Sequence, residues 1–131
     1  LKVGAEADPA KLPRIYFVNW FRKGADGKFL WPGYGDNSRV LKWIAGRLDG
    51  TAEALDTPIG RVPTKESLDL SGLSLADAAL ETLLSVDPEV WAEEAALIPD
   101  FYRKFGDRLP AQLWDQHAAL TRRLGVREAA E

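Results

Sequence analysis

The sequence predicts an α+β fold that is mostly helical, with one or two N-terminal strands, an aromatic loop and about four helices. Residues 14–21 are rich in β-branched and aromatic side chains, which favour a strand. Residues 29–37 combine three aromatic residues with two glycines and a proline, which indicates a structured loop. Beyond residue 37, apolar residues recur at spacings of three or four, which is typical of amphipathic helices.

The N-terminal segment predicts a strand without a partner. Residues 1–13 mix small and charged residues with two prolines, so we expect a loop or a frayed end there. The run from Ile15 to Val18 is continuously apolar, as in a strand buried on both faces. No later run is comparably strong. The sequence also lacks Met and begins at Leu1, and together these features predict a piece of a longer protein.

A tight turn follows the predicted strand. Residues 22–28 are polar and glycine-rich, and Asp26-Gly27 is a hairpin-type signal. Such a turn folds the chain back on itself, so we expect Phe21 and Phe29 to approach each other.

The aromatic loop leads directly into a predicted helix over about 38–48. Asp36 or Asn37 is the expected cap, because short polar side chains accept hydrogen bonds from the first helical amides. Backbone N–H groups would then point outward near the aromatic rings. Gly50 is the expected stop. Residues 14–50 therefore form a strand–loop–helix unit.

Residues 51–131 are predicted to be a C-terminal helical segment. Turns around a short extended piece are expected near 57–63. Asp87 should cap the second of the three helices, Pro99 should kink or divide it, and residues 126–131 should fray. The predicted helices cover about 75–85, 88–105 and 110–124.

Composition narrows the possible function. With no Cys, disulfides and thiolate metal sites are excluded, which fits a cytoplasmic protein. The single His117, on the apolar stripe of a helix, argues for a packed or surface histidine and against a His-rich metal site or a Ser-His-Asp triad. No apolar run approaches the roughly 20 residues of a membrane span, so we expect no membrane partner.

Charge is distributed unevenly. Residues 11–50 contain eight Lys or Arg against three Asp, a net charge of +5, whereas residues 51–131 have a net charge of −7. The basic surroundings of the aromatic loop favour an anionic ligand, and the acidic remainder argues against nucleic acid.

No reaction centre is identifiable. The phosphate-loop motif Gly-x-x-x-x-Gly-Lys-Ser/Thr and the Gly-x-Ser-x-Gly elbow are both absent from the sequence. Glu93 and Glu94 fit a solvated helix face. We therefore predict no catalytic residue and no metal ligand in this chain.

The aromatic loop instead offers binding chemistry. The side chain of Asn37 could hydrogen-bond the edge of a flat polar ligand, and its backbone amide, with those of Gly35 and Asp36, could complete recognition. An alternative is that the rings form a hydrophobic core beneath a turn. The rings able to stack on a ligand are Phe21, Phe29 and Tyr34.

Three sequence blocks resemble the C-terminal part of GTP-dependent phosphoenolpyruvate carboxykinases. They are FVNWFRK at 17–23, GKFLWPGYGDNSRVLKW at 27–43 and TPIG at 57–60. The resemblance covers nearly the whole chain, and it is dense up to residue 60 and looser beyond it. It implies an α/β parent protein, of which this chain would belong to the C-terminal lobe.

The resemblance also implies a reaction and a site. The family converts oxaloacetate and GTP to phosphoenolpyruvate, GDP and carbon dioxide, using a divalent metal that is usually manganese. Guanine would be held by the rings of Phe21, Phe29 and Tyr34, where the family usually has Phe at the last position. Trp20 would lie beside the base. Polar recognition would fall on Gly35, Asp36 and Asn37.

The family's phosphate loop, metal ligands, oxaloacetate-binding arginines and lid have no counterpart in this sequence. We therefore expect a fragment that is inactive alone and that needs the rest of a monomeric, cytoplasmic parent. Two alternatives remain open at this point. One is a stand-alone, non-enzymatic module that binds a nucleotide, sugar or peptide through the loop, and the other is a purely structural helical domain.

Overall fold

The structure, a computed structural model, describes residues 2–126 and is mostly helical. Its two short strands, β1 (Leu55–Thr57) and β2 (Gly60–Val62), pair antiparallel with Leu55 opposite Val62. This combination confirms the α+β class. None of the described helices is long and apolar enough to cross a membrane. The helices are α1 (Lys2–Glu6), α2 (Asn37–Asp49), α3 (Asp77–Leu84), α4 (Pro88–Arg103) and α5 (Ala111–Arg123).

The chain divides into two compact units. The first unit comprises Leu1–Glu53 and Lys65–Leu83, and the second comprises Ala54–Thr64 and Leu84–Glu131. Ala95 is buried in the second unit. The buried side chains of the first unit are Trp31, Trp43, Leu68 and Leu80.

The predictions for the N-terminal segment are wrong in two respects. Residues 14–21 form no strand, and Ile15 and Phe17, expected to be buried, are each 92% exposed. A strand needs a neighbour to take up its backbone hydrogen bonds, and the described part of the chain provides none for this segment. The expected loop over 1–13 contains α1 and a 3₁₀ turn at Pro9–Lys11.

Helix α2 confirms the helix predicted over 38–48. Gly50 ends it in the left-handed conformation, with φ 74°, as expected of a glycine at this position. Trp43 anchors it by donating from Nε1 to the backbone carbonyl of Glu53 over 3.0 Å. Lys42 reaches Asp69 at 2.7 Å, and hydrogen bonds from Lys42 and Ser71 lower the pKa of the Asp69 carboxyl.

The hairpin and last helix of the second unit are joined by a long-range contact. Strands β1 and β2 occupy the region where turns around a short extended piece were expected. Arg123 at the end of α5 donates from Nε to the carbonyl of Pro58 between the strands, over 2.7 Å. The predicted fraying of 126–131 falls, for 127–131, outside the described residues.

Helix α4 begins as predicted but is not divided. The side chain of Asp87 accepts hydrogen bonds from the amides of Glu89 and Val90, which confirms it as the cap. The helix continues through Pro99 to Arg103. Pro99 lacks the N–H that would donate to the carbonyl of Ala95, and that carbonyl oxygen instead lies 2.9 Å from Nε2 of His117.

His117 is half-buried and packed in the second unit, which is one of the two positions that the sequence left open. Its Nε2 lies 2.9 Å from the backbone carbonyl oxygen of Ala95, and its ring packs edge-on against Tyr102 and Trp114.

Candidate functional site

The turn before the aromatic loop is closed by backbone hydrogen bonds. The amide of Leu30 donates to the carbonyl of Arg22, and the amide of Gly24 to that of Lys28, each over 2.9 Å. Gly27 adopts φ 76°, which a glycine tolerates without strain. The hairpin-type turn predicted from Asp26-Gly27 is thus confirmed.

This turn brings together two exposed rings. The centroids of Phe21 and Phe29 lie 5.8 Å apart with 64° between their planes, and the residues are 70% and 57% exposed. Lys23 places its Nζ 5.3 Å from the centroid of the Phe29 ring. The expected approach of the two phenylalanines is therefore confirmed, and their exposure contradicts the alternative that they form a core beneath the turn.

The rings of Phe21 and Phe29 leave no space for a base between them. A flat base between two parallel rings needs roughly 7 Å from ring to ring, twice an ordinary carbon–carbon contact. The observed 5.8 Å is too short. A base can stack on an outer face of the pair, or it can enter between the rings after they separate and turn parallel.

Tyr34 stands apart from this pair. It begins a 3₁₀ turn, Tyr34–Asp36, and is 93% exposed. Gly33 before it has φ 129°, a conformation that only glycine adopts readily. Among the described residues, no ring contact joins Tyr34 to Phe21 or Phe29.

The backbone amides of the loop are only partly available. The amide of Asp36 donates to the carbonyl of Gly33 over 3.1 Å, and the amide of Asn37 donates to that of Tyr34. The expectation that these two amides point outward is therefore wrong, because the 3₁₀ turn uses them internally. Asp36 occupies the cap position of α2 without capping it, since its carboxylate accepts from Arg39 Nε at 2.9 Å.

The Asn37 side chain is held by a residue that sequence reasoning missed. Trp31 donates from its indole Nε1 to Asn37 Oδ1 over 2.9 Å. Trp31 is buried, and its ring lies 6.5 Å from that of Trp20. The only sequence signal for this role was a Trp within the aromatic loop, since nothing in the spacing indicated the hydrogen bond.

The first unit also has a cleft of about 650 Å³ beside α2. Its lining carries both signs of charge, including Lys42, Asp49, Glu53 and Glu66, and none of the predicted stacking rings. Among residues 2–126, no group of three or more His, Asp or Glu side chains is arranged to hold a metal ion. The aromatic loop therefore remains the candidate site.

Comparisons with known proteins match this chain to carboxykinases. The family model described as "Phosphoenolpyruvate carboxykinase C-terminal P-loop domain" matches residues 1–123. The proteins named phosphoenolpyruvate carboxykinase [GTP] from Renibacterium salmoninarum and Paenarthrobacter aurescens are 51% and 50% identical to it over 125 residues, which are 95% of this chain. The protein of that name from Treponema pallidum is 48% identical over 131 residues. The chain spans about one fifth of the length of these relatives, 21% in each case.

Proposed function

The chain belongs to the family of GTP-dependent phosphoenolpyruvate carboxykinases, as a C-terminal part, and from this premise we propose that its aromatic loop binds the guanine of GTP. The parent protein, meaning the longer carboxykinase that contains this chain, would convert oxaloacetate and GTP to phosphoenolpyruvate, GDP and carbon dioxide. Residues 14–50 would form the guanine subsite, and residues 51–131 would form the C-terminal helical segment.

One observation is central to this proposal. The Phe21–Phe29 pair is held together by a closed turn and yet exposes both rings. Exposed aromatic faces are costly in water and are well suited to stack on a base. Trp20 lies next to this pair in the chain, and its own ring neighbour Trp31 binds Asn37. The proposed guanine-binding residues are Trp20, Phe21, Phe29, Tyr34, Gly35, Asp36 and Asn37.

These residues would play different parts. Phe21, Phe29 and Tyr34 would supply stacking faces, and the Asn37 side chain would read the edge of the base. Gly35 and Asp36 would act mainly by shaping the loop, since Asp36 is engaged with Arg39 and its amide is used inside the turn.

The chain would supply recognition and no chemistry. Binding the base at one fixed place orients the triphosphate, and phosphoryl transfer depends strongly on such positioning. Manganese is implied by the family resemblance, but the described residues do not offer a fitting group of ligands. Its ligands would belong to the rest of the parent.

The rest of the parent is the proposed partner of the N-terminal segment. Ile15 and Phe17 are almost fully exposed on a stretch of β-favouring residues. Neighbouring strands of the parent would take up the backbone hydrogen bonds of this segment and cover its apolar side chains. We propose that the parent acts as a monomer in the cytoplasm, as the resemblance implies.

Substitution of Asn37 in the parent tests the proposal. Asn37→Ala should raise the KM for GTP about fivefold to tenfold, because one hydrogen bond contributes roughly 1 kcal/mol and an unpaired base edge adds a further cost. The KM for oxaloacetate should not change. Steady-state kinetics with each substrate varied in turn would measure both effects.

The neighbouring Ser38→Ala serves as the control, because Ser38 is exposed and its hydroxyl donates to the backbone carbonyl of Gly35 over 3.3 Å. Equal effects of Asn37→Ala on both substrates would contradict the assignment of this loop to guanine.

A further inference from the structure

The hydrogen bond between Trp31 and Asn37 fixes which end of the Asn37 amide faces outward. The indole N–H can only donate, so the atom facing it across 2.9 Å must be the amide oxygen. The NH₂ end of the amide is therefore directed away from Trp31. The two ends of an amide have nearly the same shape, and without the indole N–H both orientations would be available.

Both partners in this hydrogen bond are rigidly placed. Trp31 is only 7% exposed, and its ring packs on Trp20 at 6.5 Å with a tilt of 43°. Asn37 is the first residue of α2, and its backbone amide is bonded to the carbonyl of Tyr34. The orientation of the amide is thus set before any ligand arrives.

We infer that Trp31 is a positioning residue that determines the preference for guanine over adenine, an inference that rests on the proposed function. The outward NH₂ group of Asn37 is a hydrogen-bond donor, so the atom of the base that faces it has to be an acceptor. Guanine presents the O6 carbonyl at the position where adenine presents the N6 amino group. The fixed amide therefore accepts guanine and places two donors against each other when adenine is offered. A reversed amide would accept adenine.

Trp43 makes a similar indole hydrogen bond, but that bond does not orient a side-chain amide. It is equally buried, at 6% exposure, and donates from Nε1 to the backbone carbonyl of Glu53 over 3.0 Å. A backbone carbonyl has no second orientation to select. Trp43→Phe is therefore a matched control, since it removes one buried indole N–H from the same unit without releasing an amide.

The experiment uses the parent carboxykinase with GTP, ITP and ATP at saturating oxaloacetate. Trp31→Phe keeps an aromatic ring but removes the donor, and it should lower the ratio of kcat/KM for GTP to that for ATP about tenfold. The ratio for GTP to ITP should stay unchanged, because hypoxanthine keeps the O6 carbonyl. Trp43→Phe should leave all three ratios unchanged. An unaltered GTP-to-ATP ratio in Trp31→Phe, or an equal change in Trp43→Phe, would overturn the inference.

Two variants of Asn37 distinguish a failure of this inference from a failure of the proposed function. Asn37→Asp replaces the outward NH₂ by an oxygen and should shift preference toward ATP even if Trp31→Phe does not fold; no shift would overturn the inference. If Asn37→Ala impairs GTP use while Trp31→Phe keeps normal selectivity, the loop binds guanine but Trp31 does not position the amide. If Asn37→Ala leaves GTP use intact, the proposed function itself fails, and the inference fails with it.

Discussion

Two phenylalanine pairs in this chain have nearly the same geometry. Phe21 and Phe29 in the first unit lie 5.8 Å apart at 64°, with Lys23 Nζ 5.3 Å from one ring. Phe101 and Phe105 in the second unit lie 5.3 Å apart at 75°, with Lys104 Nζ 5.7 Å from one ring. All four rings are exposed. Ring geometry alone therefore does not identify a binding site.

The two pairs differ in how the backbone builds them. Phe101 and Phe105 are four residues apart on α4 and the turn that follows it, where such residues are neighbours on one face. Phe21 and Phe29 are farther apart in sequence and meet only because the turn between them is closed by hydrogen bonds. The first pair also adjoins Trp20, whose ring neighbour Trp31 orients the Asn37 amide. The Phe21–Phe29 pair forms only through a closed turn, and it is connected through Trp20 and Trp31 to an oriented polar group, so it is the better candidate for recognition.

Removing one ring from each pair should give the largest difference in GTP binding between the two pairs. In the parent, Phe29→Ala should weaken GTP binding by about 1–3 kcal/mol, or roughly 5- to 150-fold, because a base loses a stacking face. Phe105→Ala removes a ring from a pair of matching geometry and should leave GTP binding unchanged. Titration of each variant with GDP would measure the two affinities.

Thermal unfolding of the same variants serves as the control for folding. Phe29 is more than half exposed, so its truncation should shift the unfolding temperature no more than that of Phe105. Loss of GDP affinity in Phe105→Ala comparable to that in Phe29→Ala would show that the two pairs are not functionally distinct.

Tyr34 offers a smaller test. It is exposed and makes no ring contact with the phenylalanine pair in the described structure, so Tyr34→Ala should weaken GTP binding by only about 1 kcal/mol, the lower end of the stacking range. Tyr34→Phe keeps the ring face and should bind GTP as the natural sequence does. A large loss in Tyr34→Phe would indicate that the hydroxyl, rather than the ring, makes the important contact.

Substitutions of Lys23 and Lys104, the lysines beside the two pairs, should show the smallest difference in GTP affinity. Lys23→Gln should lower GTP affinity about twofold to fivefold, because an exposed cation–π contact that steadies the Phe29 ring contributes roughly 0.5–1 kcal/mol. Lys104→Gln loses the matching contact on Phe101 and should have no effect on the affinity. The comparison needs GDP titrations of both variants at one salt concentration. Indistinguishable affinities of the two variants would show that Lys23 does not contribute to GTP binding.

Local features of the fold were predictable from the sequence. The turn at Asp26-Gly27, the end of α2 at Gly50 and the cap at Asp87 depend on residues close together in the chain, and the structure confirms them. The approach of Phe21 and Phe29 follows from the turn and was predictable for the same reason.

Features that depend on distant partners were not predictable. The β-favouring composition of residues 14–21 is real, but strand pairing needs a neighbour that the described chain does not provide. The prediction that the amides of Asp36 and Asn37 point outward was wrong, because the 3₁₀ turn uses both amides as internal hydrogen-bond donors. The bond from Trp31 to Asn37 depends on the path of the whole loop, which no residue spacing encodes.

The most direct test of the central claim is a structure of the parent carboxykinase with GDP bound. We predict that guanine enters between Phe21 and Phe29, that their centroids separate from 5.8 Å to about 7 Å, and that the Asn37 amide nitrogen faces O6 while its oxygen keeps the bond from Trp31. Guanine bound away from this loop, with the two rings still in edge contact, would contradict the account.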